Sequence, residues 1–324
     1  MVRKMLRVYR TVEEGQVSQE AEICEKAWLS LINPTEEEVQ MVSEKTGITR
    51  DFLKDPLDDE ERPRIEIETG QILIIIKVPV ARGKKGAELY DAIPLGIIVT
   101  KDYLITVCLD DHPIFSQMLK MPVLFTFKKT RFLLLILIKT ATLYLNYLRI
   151  LDDRSTELQS HLSHTMKNEA LLRLLDIQKS LVYFTTSLRA NGIVMEKLTR
   201  TQLVKAEDAP ASMLIKMYPE DEELLEDAIT ENRQAIEMSS IYSSILTGSM
   251  DAYAALISNN MASVMKFLTS VTIVLSLPTI IASIYGMNVG LPFQNSPLAF
   301  VGIMGTTFGI AGAAAYALYR WNMF

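Results

Sequence analysis

From Phe267 to Tyr319 the chain contains no Asp, Glu, Lys or Arg, a run of 53 residues in a protein where charged residues make up 22% of the whole. A run this long exceeds any single element of a soluble core, and a hydrocarbon interior is the environment that selects against charge so consistently. It holds two apolar segments, Phe267–Tyr285 and Leu298–Tyr319, of 19 and 22 residues. Each matches the roughly 20 residues needed to cross a hydrocarbon core about 30 Å thick. Two transmembrane helices are therefore predicted at 267–285 and 298–319, joined by an external loop at 286–297 and followed by a tail at 320–324. Lys266 and Arg320 abut the two spans, which places both termini in the cytoplasm of a multi-pass cell-membrane protein.

The rest of the 324 residues is of a different kind. Of the formal charge of −6, Arg320 supplies +1, so residues 1–266 carry −7. An acidic domain argues against nucleic acid as a partner and favours a role around cations. No apolar stretch of signal length follows Met1-Val2-Arg3-Lys4, so no secretory signal is expected. Cys24 and Cys108 are expected to be free thiols in a reducing compartment.

Residues 1–125 alternate strand-like and helix-like stretches, which predicts a small cytoplasmic α/β domain. Val39–Leu53 has helical spacing, with Thr35 as cap and Glu38 three residues on. Strand-like runs follow the turn-rich Asp55–Pro63: Arg64–Glu68, Gln71–Val80, Ile93–Thr100 and Tyr103–Leu109, the last two joined by a hairpin at Thr100–Tyr103. Residues 126–218 read as long helices of the same domain, with breaks at Asn191-Gly192, around Ala209-Pro210 and at Pro219. Phe132–Ile138 is apolar, but Lys128, Lys129, Arg131 and Lys139 bracket it too closely for a span, which predicts a buried helix. Beyond Pro219 the next proline is Pro278, so residues 220–285 form one helix of roughly 100 Å at 1.5 Å per residue, with 219–266 as a stalk. Gly302, Gly305, Gly309 and Gly312, with the alanines around them, give the second span a small-residue face suited to close packing. Two spans cannot enclose a pathway, so transport requires a homo-oligomer about a central axis.

The link between the spans opens Tyr285-Gly286-Met287-Asn288. With Gly-Met-Asn closing the penultimate span, the chain resembles the CorA family of magnesium and divalent metal ion channels. The architecture of the whole chain shares in the likeness, which is strongest over Asp251–Asn288. The resemblance implies a homopentamer in the bilayer with a selectivity filter at Gly286, Met287 and Asn288. The residue chemistry agrees: Mg2+ sheds water reluctantly, and neutral carboxamides can bond its hydration shell without trapping it. Gly286 would allow the sharp turn. The alternative is a plain helix C-cap with Asn288 in the left-handed conformation. Met265, Leu268, Thr272, Leu275 and Thr279 recur at three- and four-residue steps, a coiled-coil-like seam on the helix from which this family builds its pore. Met265 and Leu268 fall where the family has a hydrophobic constriction, and Pro278 lies one place from its commonest position, which leaves the register around it open. The loop departs from the family's acidic pattern: Val289 to Pro297 is uncharged, leaving Gln294 and Asn295 as further polar contacts for a cation.

Glu220, Asp221, Glu222, Glu223, Glu226, Asp227, Glu231 and Glu237 crowd the start of the stalk against Arg233 alone. Most of these read as a solvated face; Asp227 falls where the family has an acid in a regulatory intersubunit Mg2+ site. Its partner acid is not identified by the sequence: the loop after Val80 is basic (Arg82, Lys84, Lys85) before Glu88 and Asp91. Glu157, His161 and His164 share a helical face and could bind zinc, but a surface face is the simpler reading. No Walker loop, nucleophile elbow or dinucleotide fingerprint is present, which argues against an enzyme. The expected function is a channel for hydrated Mg2+, with cobalt or nickel as further cargo, gated by cytoplasmic Mg2+. The alternatives are a zinc transporter of the ZntB branch and a non-conducting membrane-anchored sensor or scaffold.

Overall fold

The structure, a computed structural model, describes residues 6–12, 15–68, 70–82, 89–164, 168–203, 214–290 and 298–323; within these the side chains of 161–164, 168, 201–203 and 299 are not described. The chain divides into two compact units, Met1–Thr247 and Gly248–Phe324.

In the first unit seven strands form one sheet: β1 (Leu6–Thr11), β2 (Val17–Glu20), β3 (Trp28–Ile32), β4 (Arg64–Glu68), β5 (Gln71–Arg82), β6 (Leu89–Thr100) and β7 (Leu104–Cys108). Their spatial order is β2-β1-β3-β7-β6-β5-β4. Only β3 and β7 pair in parallel; every other neighbour is antiparallel. The period of two along β5 sends Ile72, Ile74, Ile76 and Val78 to one face and Leu73 and Ile75 to the other. Because both faces are covered, the strand is apolar without a break from Ile72 to Ile76, the signature of a sheet buried on two sides.

One face packs on α1 (Glu36–Thr46) and α2 (Arg50–Lys54) through Val39, Val42, Phe52 and Leu53. Thr35 and Glu38 form the expected capping box, with Glu38 N–H donating to Thr35 Oγ1 at 3.2 Å and Thr35 N–H to Glu38 Oε2 at 3.0 Å. The single helix expected over Val39–Leu53 is two helices, because Gly47 adopts the left-handed conformation at φ 71° and ends α1. A 3-10 turn at Asp55–Leu57 lays Pro56 on the sheet at Gly96, where a Cβ would come within 2.1 Å of the proline ring.

The opposite face carries α3 (Pro113–Leu119), α4 (Lys129–His164), α5 (Asn168–Leu203) and the start of α6 (Pro219–Tyr285). Phe132, Leu133, Leu134, Ile136 and Leu137 are buried in this layer, as expected of a core helix. The Thr100–Tyr103 hairpin is closed by Thr100 N–H to Tyr103 O at 3.0 Å and Tyr103 N–H to Thr100 Oγ1 at 3.0 Å. Both cysteines are free, and burial pushes the Cys108 thiol up to about 12.

Asn191-Gly192 does not break a helix: α5 runs through both. The buried Asn191 carboxamide receives Lys77 N–H at 2.8 Å and donates to Lys77 O at 2.7 Å. Strand β4 stops pairing with β5 at Ile75, two residues short of Lys77, so the side-chain amide takes the place of the missing ladder partner. The need to satisfy a buried peptide group outweighs the poor helix propensity of an Asn-Gly pair.

In the second unit α6 continues to Tyr285 and α7 spans Ala299–Arg320. By length and composition α4, α6 and α7 are each apolar enough to cross a membrane. Burial separates them: 56% of the apolar window of α4 is covered within the chain, against 6% for α6 and 17% for α7. The residues of α7 that pack are Thr307, Ala311 and Leu318, and Ser270 Oγ of α6 donates to Met323 O at 3.1 Å. The four glycines of α7 lie half a turn away, and a Cβ at any of them meets nothing within 4 Å. Within one chain the small-residue face is thus not the packed one.

Candidate ion pathway

The candidate filter residues lie where α6 ends. Gly286 N–H donates to Ala282 O at 2.9 Å and Met287 N–H to Ile284 O at 3.3 Å, tightening the last turn. Gly286 does not have a positive φ, and its N–H continues the helical hydrogen bonding of α6 by one residue. The expected sharp turn is therefore not made here by a left-handed glycine. Asn288 is not in the left-handed conformation either, since positive φ among the described non-glycine residues is confined to Lys26, Asn33 and Asn322. The plain C-cap reading therefore loses its geometric basis. Gly286, Met287 and Asn288 are all exposed, with the carboxamide just beyond the negative end of a long helix dipole.

Met265, Leu268, Thr272, Leu275 and Thr279 are exposed on α6. The Thr272 hydroxyl donates to Leu268 O at 2.8 Å and that of Thr279 to Leu275 O at 3.0 Å. Their protons are thus held by the helix, leaving the oxygen lone pairs as acceptors, the polarity a cation or its water requires. Pro278 lies within the helix and has no N–H for the carbonyl of Val274. Val289 and Gly290 are exposed, whereas Gln294 and Asn295 lie outside the described residues.

At the start of α6 three of the eight acids are engaged locally. Glu220 pairs with Arg131 at 3.3 Å, buried Asp221 accepts Tyr218 N–H at 3.2 Å, and Glu231 accepts the Thr142 hydroxyl at 2.6 Å. Asp227 is exposed. Among the described residues no three His, Cys, Asp or Glu gather closely enough to hold a metal ion, around Asp227 or elsewhere. Asp91 faces Arg82 at 3.5 Å, while Lys84, Lys85 and Glu88 lie outside the described residues. Glu157 pairs with Arg154 at 2.9 Å, and the side chains of His161 and His164 lie outside the description. Sequence reasoning missed Ser270, a fully buried hydroxyl inside the apolar run, because a lone serine among aliphatic residues carries no periodic signal.

The sequence model of the family described as CorA-like Mg2+ transporter protein matches residues 25–320. The cobalt/magnesium transport protein CorA of Methanocaldococcus jannaschii is 33% identical over 283 residues, covering 84% of this chain and 83% of that protein. The complete structure of the CorA magnesium transporter from the same organism superposes with a TM-score of 0.82 at 29% identity, covering 99% of each chain. The ZntB cytoplasmic domain from Vibrio parahaemolyticus, at 12% identity and a TM-score of 0.59 over 78% of this chain and 98% of that one, shares the fold alone.

Proposed function

Since this chain belongs to the family of CorA-like Mg2+ transporter proteins, a family of divalent cation transporters, we propose that it is a homopentameric channel that admits hydrated Mg2+, with Co2+ as a second cargo. The observation that carries the reading is the exposed Gly286-Met287-Asn288 at the end of an apolar helix whose seam residues are themselves exposed. A helix that covers so little of its apolar surface within its own chain needs lipid on one side and copies of itself on another. Five such helices about one axis would bring five Asn288 carboxamides into a ring. That ring would orient waters of the hexahydrate by hydrogen bonds, holding the ion too weakly to stop its passage. Below it, the oxygens of Thr279 and Thr272 supply acceptors, and Leu275, Leu268 and Met265 supply constrictions that dewet when narrow.

Residues 267–285 and 298–319 are the two spans in this reading, both termini are cytoplasmic, and residues 1–266 serve as the cytoplasmic sensor. Asp227 is its regulatory ligand: bound Mg2+ would bridge an exposed carboxylate to a neighbouring subunit and hold the channel shut. Loss of the ion would leave acids repelling one another. The intact Gly-Met-Asn favours magnesium over the zinc transport of the ZntB branch. Reconstitution into liposomes tests the proposal through parallel uptake of Mg2+, Co2+ and Zn2+. Uptake of Mg2+ and Co2+ down their gradients supports it. Zinc flux without magnesium flux transfers the chain to the ZntB-like reading, and no flux of any ion leaves a membrane-anchored sensor.

A further inference from the structure

Helices α5 and α6 run antiparallel in the first unit, joined by polar contacts whose numbering rises on one helix as it falls on the other. Asn232 Nδ2 donates to Leu188 O at 3.0 Å, Ser239 Oγ donates to Leu181 O at 3.0 Å, and Gln178 Nε2 donates to Thr247 Oγ1 at 3.1 Å. Ser239 also shares a 2.7 Å hydrogen bond with Thr185 Oγ1. Asn232 and Ser239 are buried, seven residues apart, and their acceptors are seven residues apart on α5.

The buried face of α6 here is Leu225, Ala228, Asn232, Ala235, Ser239 and Leu246, spaced as a heptad seam. Its centre is made of alanines and these two polar residues. Alanine buries little side-chain area and presents nearly the same surface after a slip of one turn, so apolar contact discriminates poorly between axial positions. The polar pair discriminates strongly, because a slip strands a buried carboxamide and a buried hydroxyl away from their carbonyls. The space is cut to the observed position: a Cβ at Gly192 would stand 3.2 Å from Asn232 Nδ2. The neighbouring Asn191 grips both peptide groups of Lys77 on β5, fixing α5 along the sheet.

We propose that Asn232 and Ser239 form a register lock, selecting one axial position of α6 on α5 from several of comparable apolar burial. The proposal stands independently of what the protein transports.

Thiol crosslinking of the full-length chain in lipid tests it, in a Cys24→Ser background because Cys24 is the half-buried thiol and Cys108 the fully buried one. The pair Gln178→Cys with Thr247→Cys reports the observed register. Gln178→Cys with Ser240→Cys, and Val182→Cys with Thr247→Cys, lie outside the range of the observed pairings on opposite sides and report slips in opposite directions. With a short bifunctional reagent the first pair should react about tenfold faster than either slipped pair in the parent. In Asn232→Leu/Ser239→Ala the slipped pairs should gain about fivefold or more, and Ser239→Ala alone should fall between. Slipped pairs that stay at the parental level overturn the proposal. So does loss of the fold in both variants, since the two residues would then supply stability rather than choose a register.

Discussion

Replacing Asn191 by alanine removes a side chain that completes the sheet from inside a helix. Lys77 O keeps the Tyr144 hydroxyl at 3.1 Å, but Lys77 N–H loses an acceptor whose side chain is wholly buried. A buried donor left unmatched costs about 1–3 kcal/mol, and the space vacated by a carboxamide adds about 1 kcal/mol. The variant should lose about 3 kcal/mol in the first unit. Trp28, wholly buried in the core of that unit, is the natural probe once Trp321, which is 74% exposed, is changed to phenylalanine. With a urea dependence of about 2–3 kcal/mol per M, the Trp28 fluorescence midpoint should fall by about 1 M. A fall below about 0.3 M would refute the argument, showing that the peptide group of Lys77 does not depend on this amide.

Three further outcomes are expected. Buried His112 accepts Ile114 N–H through Nδ1 and contacts Pro79 O through Nε2 at 2.8 Å, and burial lowers its pKa to about 4 despite nearby Asp110 and Asp111. The unfolded chain therefore binds the extra proton first, so stability present above pH 6.5 is lost as the pH falls towards 4, by up to about 1.4 kcal/mol per unit; His112→Asn should flatten that limb in urea titrations across the range. Gly96→Ala forces a Cβ into Pro56 and should cost about 1–3 kcal/mol by the same fluorescence assay, with no effect indicating that the 3-10 turn yields. Asp227→Lys should weaken the inhibition of flux by Mg2+ on the cytoplasmic side, and unchanged inhibition removes Asp227 from the regulatory account.

Much of the architecture was legible because its signals are periodic or compositional. The uncharged run, the Thr35–Glu38 box and the alternating Ile-rich strands each have a local cause. Strands β1 to β3 were not legible: they are short, Tyr9 and Arg10 interrupt the alternation of β1, and their pairing partners lie as far away as β7. The helix expected over Val39–Leu53 was misjudged at Gly47, where one left-handed residue outweighs periodicity, and α5 at Asn191-Gly192, where tertiary demand outweighs propensity. The candidate residues could be named from the sequence because Gly-Met-Asn directly follows the helix that carries the seam, so both are contiguous in the chain. The glycine stripe of α7 was assigned to packing, which is a statement about neighbours that one chain's sequence does not contain. The Asn232–Ser239 pair escaped notice because polar residues on a long helix look like a solvated face until the helix beside it is in place.

The most direct test compares Mg2+ uptake into liposomes by the parent and by Asn288→Ala at equal protein density. If carboxamides at the end of α6 meet the hydrated ion, the parent takes up Mg2+ and the variant, still assembled, loses most of that flux. Uptake by Asn288→Ala equal to the parent's would place the ion's recognition elsewhere and contradict the account.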